Sequence, residues 1–330
     1  YESHHGCETV VNNIKKLLLK NKIKTIDTNP CHLNWLNNKK FLNNMSKSNL
    51  IIVNGEGTLH HAQTRAKELV TVGKYVKNKF NKPIVLINSS YQENGPEIAE
   101  FMKYFDLIFV RETLSLRDLE RHSITTQVVP DMTFYTKYDL SLKNISNLIG
   151  LTDSVNIELS TKLFNSCIKN NYSFLPVITN IRWRDGSVID ILRYIKYNIS
   201  KIIINILRIF QYQLKYKSIR IFYYIEDYEK YIQQIANLKF LVSGRYHSLC
   251  FSLKTLTPFF AVKSNLLKFE GILQDIGIGS QRLISENMLE HIEIKQFSQE
   301  ELSKIKKYIE TAPIKIEKMF QDISKLEDSS

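Results

Sequence analysis

Seven consecutive residues, Val242-Ser243-Gly244-Arg245-Tyr246-His247-Ser248, carry an arginine and a histidine two positions apart, directly after a glycine. Apolar Phe240 and Leu241 precede them, and Leu249, Cys250, Phe251 and Leu253 follow. That pattern reads as a buried strand turning into a buried helix. Such a junction exposes backbone N–H groups and the positive end of a helix dipole. Arg245 adds a planar fork suited to carboxylate or phosphate, and His247 adds a group that exchanges protons near neutral pH. Ser243, Gly244 and Ser248 would complete an anion-binding turn. The alternative is a basic surface turn with a capping histidine.

A second constellation is Asn54-Gly55-Glu56-Gly57-Thr58-Leu59-His60-His61, which follows the apolar run Leu50-Ile51-Ile52-Val53. Its two glycines let backbone approach a ligand closely. Glu56 can accept a proton from a hydroxyl, as can His60 or His61. No Gly-Lys-Ser/Thr follows, so this is not a Walker phosphate loop. Structurally, Gly55 and Gly57 would shape a turn and Thr58 would cap a helix. Arg111 closes another apolar run and can face a cleft as a second anion ligand, while Glu112 pairs with it or with Arg117. Asp131, after Pro130, orients a histidine or caps the next segment. His4, His5 and Gly6 precede a helical pattern over 9–18, a placement that suits a loop facing the cleft or, alternatively, a pair of solvated histidines.

The elements that must hold these groups alternate. Strands are expected at Lys24–Ile26, Leu50–Val53, Pro83–Ile87, Leu107–Val110 and Gln127–Val129, with helices at Glu68–Phe80, Ile98–Phe105 and Ser115–Arg121. After a turn-rich stretch over 135–146 the strands resume at Asn147–Leu151, Ser173–Ile178, Arg220–Tyr224, Phe240–Val242 and Pro258–Val262. Short all-apolar strands separated by helices imply parallel sheets covered on both faces. The fold class expected is α/β, with two Rossmann-like domains whose parallel sheets face a central cleft. Domain limits follow at 1–140 on the acceptor side and 141–285 on the donor side, with a helical segment over 286–330. In open sheets of this kind, ligands lie beyond the carboxyl ends of the strands.

Composition agrees with a globular protein: 330 residues, 43% hydrophobic and 24% charged. The formal net charge of +12 favours acidic partners. Cys7, Cys31, Cys167 and Cys250 form no C-x-x-C pair, so they read as reduced thiols of a cytoplasmic protein rather than a zinc ribbon. Neither a secretory signal nor an apolar run of membrane-spanning length is evident. No carboxylate cluster suggests a metal.

Taken in order, Gly55-Glu56-Gly57-Thr58-Leu59, Val110-Arg111-Glu112-Thr113-Leu114-Ser115, Pro130-Asp131-Met132-Thr133-Phe134 and Ser243-Gly244-Arg245-Tyr246-His247 resemble the polysaccharide pyruvyltransferase family. The resemblance runs from the first His-Gly-Cys to about Gly279. It implies the two-domain architecture known as GT-B and transfer of pyruvate from phosphoenolpyruvate to paired sugar hydroxyls as a ketal, without a further cofactor. By that resemblance Arg245 and His247 hold phosphoenolpyruvate and Arg111 assists with its charge. Glu56 departs from the glycine run usual in the first loop, and also suits the catalytic base of an inverting glycosyltransferase. A donor such as an ulosonic acid activated by cytidine monophosphate therefore stands as the alternative.

One segment, 188–217, combines helical apolar spacing with Lys196, Lys201, Arg208, Lys215 and Lys217 and with four tyrosines. It reads either as a basic amphipathic helix on an anionic membrane surface, suiting a glycan acceptor that is lipid-linked, or as a helix packed on the second sheet. Specific nucleic-acid binding is not expected, because no recognition motif accompanies the positive charge.

Overall fold

Parallel strands need long crossovers, and this chain supplies a helix at nearly every one. The computed structural model describes residues 2–30, 33–181 and 227–328. In chain order the first elements are β1 (Glu2–His4), α1 (His5–Lys20), α2 (Lys39–Lys47), β2 (Ile51–His60), α3 (Thr64–Phe80) and β3 (Ile84–Gln92). They continue with α4 (Gly95–Met102), β4 (Leu107–Val110), α5 (Thr113–Glu120), β5 (Gln127–Val128), β6 (Ile149–Ser154), α6 (Ile157–Asn170), β7 (Ser173–Leu175) and β8 (Ile178–Ile181). Beyond residue 226 come α7 (Tyr228–Ala236), β9 (Phe240–Gly244), α8 (Tyr246–Lys254), β10 (Phe259–Val262), α9 (Lys268–Ile276), β11 (Leu283–Ile284) and α10 (Gln299–Asp328).

The chain divides into two compact units, each built on its own parallel sheet. One unit contains residues 10–137, 264–280 and 303–330. Its sheet has the order β2-β3-β4-β5, every pair parallel. Ile84, Val85, Leu86 and Ile87 of β3 are fully buried, as expected for a central strand covered on both faces. The other unit contains residues 1–9, 138–263 and 281–302. Its parallel sheet has the order β11-β10-β9-β6-β7, and β1 pairs separately with β8 in antiparallel fashion. Each unit is thus a Rossmann-like α/β layer. Among the described residues, no helix is long and apolar enough to cross a membrane.

The units are discontinuous in sequence, unlike the contiguous limits drawn at 1–140, 141–285 and 286–330. Residues 264–280 belong to the unit built on β2–β5, where α9 packs on α5. There the Thr113 N–H donates to Asp275 Oδ2 at 2.9 Å, and Gly271 lies against the Glu112 side chain.

Several elements depart from expectation. Lys24–Ile26 forms no strand, its side chains being exposed with no sheet to join. The expected strand Ser173–Ile178 breaks into β7 and β8 around Pro176, which has no N–H to give a ladder. β2 runs through the entire glycine-containing motif to His60, pairing Glu56 with Ser89, Leu59 with Tyr91 and His60 with Gln92, with a bulge between Glu56 and Leu59. Thr58 therefore caps no helix. The expected strand Arg220–Tyr224 and the basic segment 188–217 lie outside the described residues.

A reciprocal cap starts α10. The Ser298 N–H donates to Glu301 Oε2 at 2.8 Å, and the Glu301 N–H donates to Ser298 Oγ at 3.1 Å. Fully buried Arg282 forks onto both oxygens of Glu301, at 2.8 and 2.7 Å. Burial alone would raise the Glu301 pKa, but Arg282 and the Ser298 N–H outweigh it and hold the carboxyl at about 2. A depressed carboxylate stabilises the fold above its unfolded pKa, and that contribution disappears as pH falls toward the folded value. Glu301→Gln is therefore expected to lower stability at pH 7 by roughly 3–5 kcal/mol, because it strands a buried guanidinium. Denaturant melts should show the gap from wild type narrowing between pH 5 and about 2.

Candidate functional site

In the unit carrying β9 and α8, the expected strand-to-helix junction is present. β9 ends at Gly244, and Arg245 is the N-cap of α8, with His247 in its first turn. Arg245 is not a bare cation. Its Nε donates to Asp153 Oδ2 at 3.0 Å and its Nη2 donates to the same oxygen, while Asp153 Oδ1 accepts the Val177 N–H at 2.8 Å. Asp153 thus fixes the guanidinium from the end of β6, and Nη1 takes no part in the pair. A Cβ on Gly244 would stand 2.6 Å from the Asp153 carbonyl oxygen, so glycine is required for β9 to approach β6 this closely.

Three expected donor contacts have other work. Ser243 is fully buried and its hydroxyl donates to the Arg245 carbonyl at 2.7 Å, shaping the turn. Ser248 is also fully buried, 3.0 Å from the Tyr231 hydroxyl. Gly244 donates its N–H to Thr152 Oγ1 at 2.9 Å. His5 likewise lines no open surface: it is fully buried and stacks on Tyr231 with centroids 4.4 Å apart. Burial drives its pKa down to about 4, against a small opposing pull from Asp227. Ser243, Ser248 and Gly244 thus each satisfy a polar partner within the fold.

His4 and Cys7 join His247 on this side. The His4 and His247 rings meet edge to face at 5.4 Å. His4 is partly exposed by area but crowded by neighbouring atoms, and burial, then His247, Arg245 and His5, hold its pKa well below the usual imidazole range. Gly6 makes room: a Cβ there would sit 2.2 Å from His247 Cγ and Nδ1.

In the other unit, polar side chains form a chain across adjacent strands. Asn88 Oδ1 accepts the Met132 N–H at 3.1 Å, Asn88 Nδ2 donates to Asn54 Oδ1 at 3.2 Å, and Asn54 Nδ2 donates to Glu56 Oε1 at 2.9 Å. Asn88 (φ 55°) and Glu56 (φ 44°) both occupy left-handed backbone, a conformation that costs a residue with a side chain about 1 kcal/mol or more. Gly55 permits the close approach of β2 to β3, since a Cβ would meet Ser89 Oγ at 2.5 Å.

Arg111 is 1% exposed rather than open to a cleft. Its Nε donates to Ser90 Oγ and its Nη1 to Asp131 Oδ2, both at 2.9 Å. Asp131 also accepts the Thr133 N–H at 2.9 Å, so it orients this arginine and caps a short turn. Burial raises the pKa of neighbouring Glu112 in spite of Arg111. One edge of Arg111 still reaches the motif: a Cβ on Gly57 would lie 3.5 Å from Nη2 and 3.7 Å from Lys268 Nζ.

Gly57, His60, Ser90, Gln92, Arg117 and Lys268 line a cavity of about 190 Å³. Partial burial, then His61 and Lys268, lowers the His60 pKa. The two rings lie Nδ1 to Nδ1 at 3.3 Å, and exposed His61 reaches Glu93 at 3.4 Å through Nε2. Thr58 is half-buried. Asp153, Asn88, Lys268 and Cys7 carry weight that the sequence reading did not give them. Only the His-x-x-Cys spacing of His4 and Cys7 left a visible signal.

Solved structures of similar fold include a putative UDP-N-acetylglucosamine 2-epimerase from Listeria monocytogenes, 9% identical over 95% of this chain and 86% of that one, with a TM-score of 0.49. The UDP-forming alpha,alpha-trehalose-phosphate synthase of Burkholderia vietnamiensis is 10% identical, covering 94% and 81%, at a TM-score of 0.48. UDP-GlcNAc 2-epimerase of Methanocaldococcus jannaschii is 13% identical, covering 93% and 81%, at 0.47. At such identities and scores these likenesses carry no functional argument. No curated protein matches the chain by sequence. The family of polysaccharide pyruvyl transferases matches residues 4–265, nearly four-fifths of the length, and brackets both polar clusters. The chain belongs to the polysaccharide pyruvyl transferase family.

Proposed function

We propose that this transferase moves pyruvate from phosphoenolpyruvate onto two hydroxyls of a sugar, forming a ketal on a bacterial-type surface polysaccharide or its lipid-linked precursor. The observation that carries the reading is Arg245, aimed by Asp153 and set beside His247 at the amino end of α8. A guanidinium with one edge already fixed loses little freedom on binding an anion. Helix N–H groups next to it suit phosphate.

The reaction begins with proton delivery to the methylene carbon of phosphoenolpyruvate, giving C2 oxocarbenium character. His247 is the proposed donor. One sugar hydroxyl attacks C2 and surrenders its proton to Glu56, with His60 as the other candidate. Phosphate then departs, and the neighbouring hydroxyl closes the ketal, its proton passing to the departing phosphate. Arg245 offsets the charge gathering on phosphate. Glu56 suits the part of base because Asn54 already donates to one of its oxygens, which fixes the orientation of the other. Arg111, enclosed by Ser90 and Asp131, is assigned a supporting role through its Nη2 edge near Gly57. The segment 188–217 is the proposed contact with an anionic membrane surface, on the cytoplasmic side where phosphoenolpyruvate is available.

A thermal-shift panel at fixed salt tests the donor. Phosphoenolpyruvate at a hundredfold excess over Kd is expected to stabilise the fold by about 2.7 kcal/mol, and Arg245→Ala is expected to abolish the shift. A shift with cytidine monophosphate, uridine diphosphate or guanosine diphosphate instead would replace the reading with nucleotide-sugar transfer, cytidine monophosphate pointing to an ulosonic acid donor.

His247→Ala and Glu56→Gln are each expected to lower turnover roughly 10²–10⁴-fold, the usual range for a lost acid or base. Their melting temperatures should stay close to wild type. Rates near normal in either variant, followed as phosphate release, would remove that residue from the chemistry.

A further inference from the structure

We propose that His4, Cys7 and His247 form a binding site for a borderline-soft divalent cation of the zinc class. One ring nitrogen from each histidine and the Cys7 Sγ all lie within 4.8 Å of one another. All three ligands belong to the same compact unit.

The backbone around them is well anchored. β1 pairs with β8, Ser3 opposite Asn180 and His4 opposite Ile178, and the His5 N–H donates to the Val177 carbonyl at 3.3 Å. Cys7 follows in the first turn of α1, three residues after His4. The thiolate is the form that binds metal. Opposite them His247 lies directly on the Gly6 backbone, where any larger residue would displace its ring.

The donor set selects the ion. Two imidazoles and a thiolate suit zinc or cobalt, whereas magnesium and calcium require oxygen ligands. Bonds of about 2.0–2.3 Å in tetrahedral geometry put neighbouring ligand atoms roughly 3.3–3.6 Å apart. The three side chains therefore close inward by about an ångström, a movement within the reach of side-chain rotation.

Coordination has identifiable costs. The Cys7 N–H now donates to His4 Nδ1 at 3.2 Å, and that hydrogen bond is exchanged for the metal bond. A nearby guanidinium, Arg245, opposes a cation, and its pair with Asp153 offsets this repulsion. On binding, the Sγ–metal bond forms and the thiol proton leaves to solvent, so affinity rises with pH. Three protein ligands leave a fourth position open to water or an anionic ligand.

Titration with cobalt(II) after chelator treatment tests the site on the intact chain. One equivalent is expected to give a thiolate-to-cobalt charge-transfer band in the near ultraviolet, with tetrahedral bands in the visible that zinc abolishes. Cys7→Ser should remove the charge-transfer band, and His4→Gln should weaken binding at least roughly tenfold. No absorption in wild type, or a band that survives Cys7→Ser, would overturn the assignment. The readout involves metal alone, so it stands or falls independently of the response to phosphoenolpyruvate.

Discussion

Close contact between the ends of β6 and β9 governs the chemistry of one unit. Gly244 lies so near the Asp153 backbone that no side chain fits between them, and this proximity puts the Asp153 carboxylate within hydrogen-bonding distance of Arg245. Everything at the α8 amino end inherits its position from that contact. The Val177 N–H holds the carboxylate, the carboxylate holds the guanidinium, and the Ser243 hydroxyl secures the carbonyl of the same arginine. An arginine restrained at so many points is stiff as well as positive. Stiffness is what converts a general attraction for anions into a defined orientation.

The second unit achieves order by a different device. Its polar groups are linked laterally, strand to strand, from Met132 through Asn88 and Asn54 to Glu56. Arg111 is enclosed beneath this line by Ser90 and Asp131. Breaking the buried Arg111–Asp131 pair would leave an uncompensated charge, so these residues support the motif whether or not they touch a ligand. In the first unit the same kind of economy sets a conflict. The His247 ring has one lone pair to offer from each deprotonated nitrogen, and a nitrogen coordinating a cation is closed to protons.

Much of this was legible in the residues. Uninterrupted apolar runs such as Ile84–Ile87 and Leu107–Val110 identify buried strands because they are short, rich in β-branched and aromatic residues, and bounded by Pro83 and Asn88 or by Asp106 and Arg111. Arg245 and His247 stood out because a strand, a glycine and a helix start coincide there. Asp153 did not, being a single acid ninety-odd positions from the arginine it serves. The structural work of Ser243 and Ser248 was hidden for a related reason: small polar residues near glycine look like ligands, yet buried backbone and a buried tyrosine use the same hydrogen bonds. The discontinuous units were hidden because α9 is drawn to α5 by packing against Glu112 and by the Asp275 bond to the Thr113 N–H, which no local pattern announces.

At residue 56 the backbone turns left-handed within a continuing strand, with φ at 44°. Glycine adopts that conformation without penalty. A relative carrying glycine there would keep the same backbone conformation and lose the carboxylate together with its hydrogen bond from Asn54. Backbone path and acidic side chain are thus separable at this position, and a single codon change could add the acid to an existing fold or withdraw it.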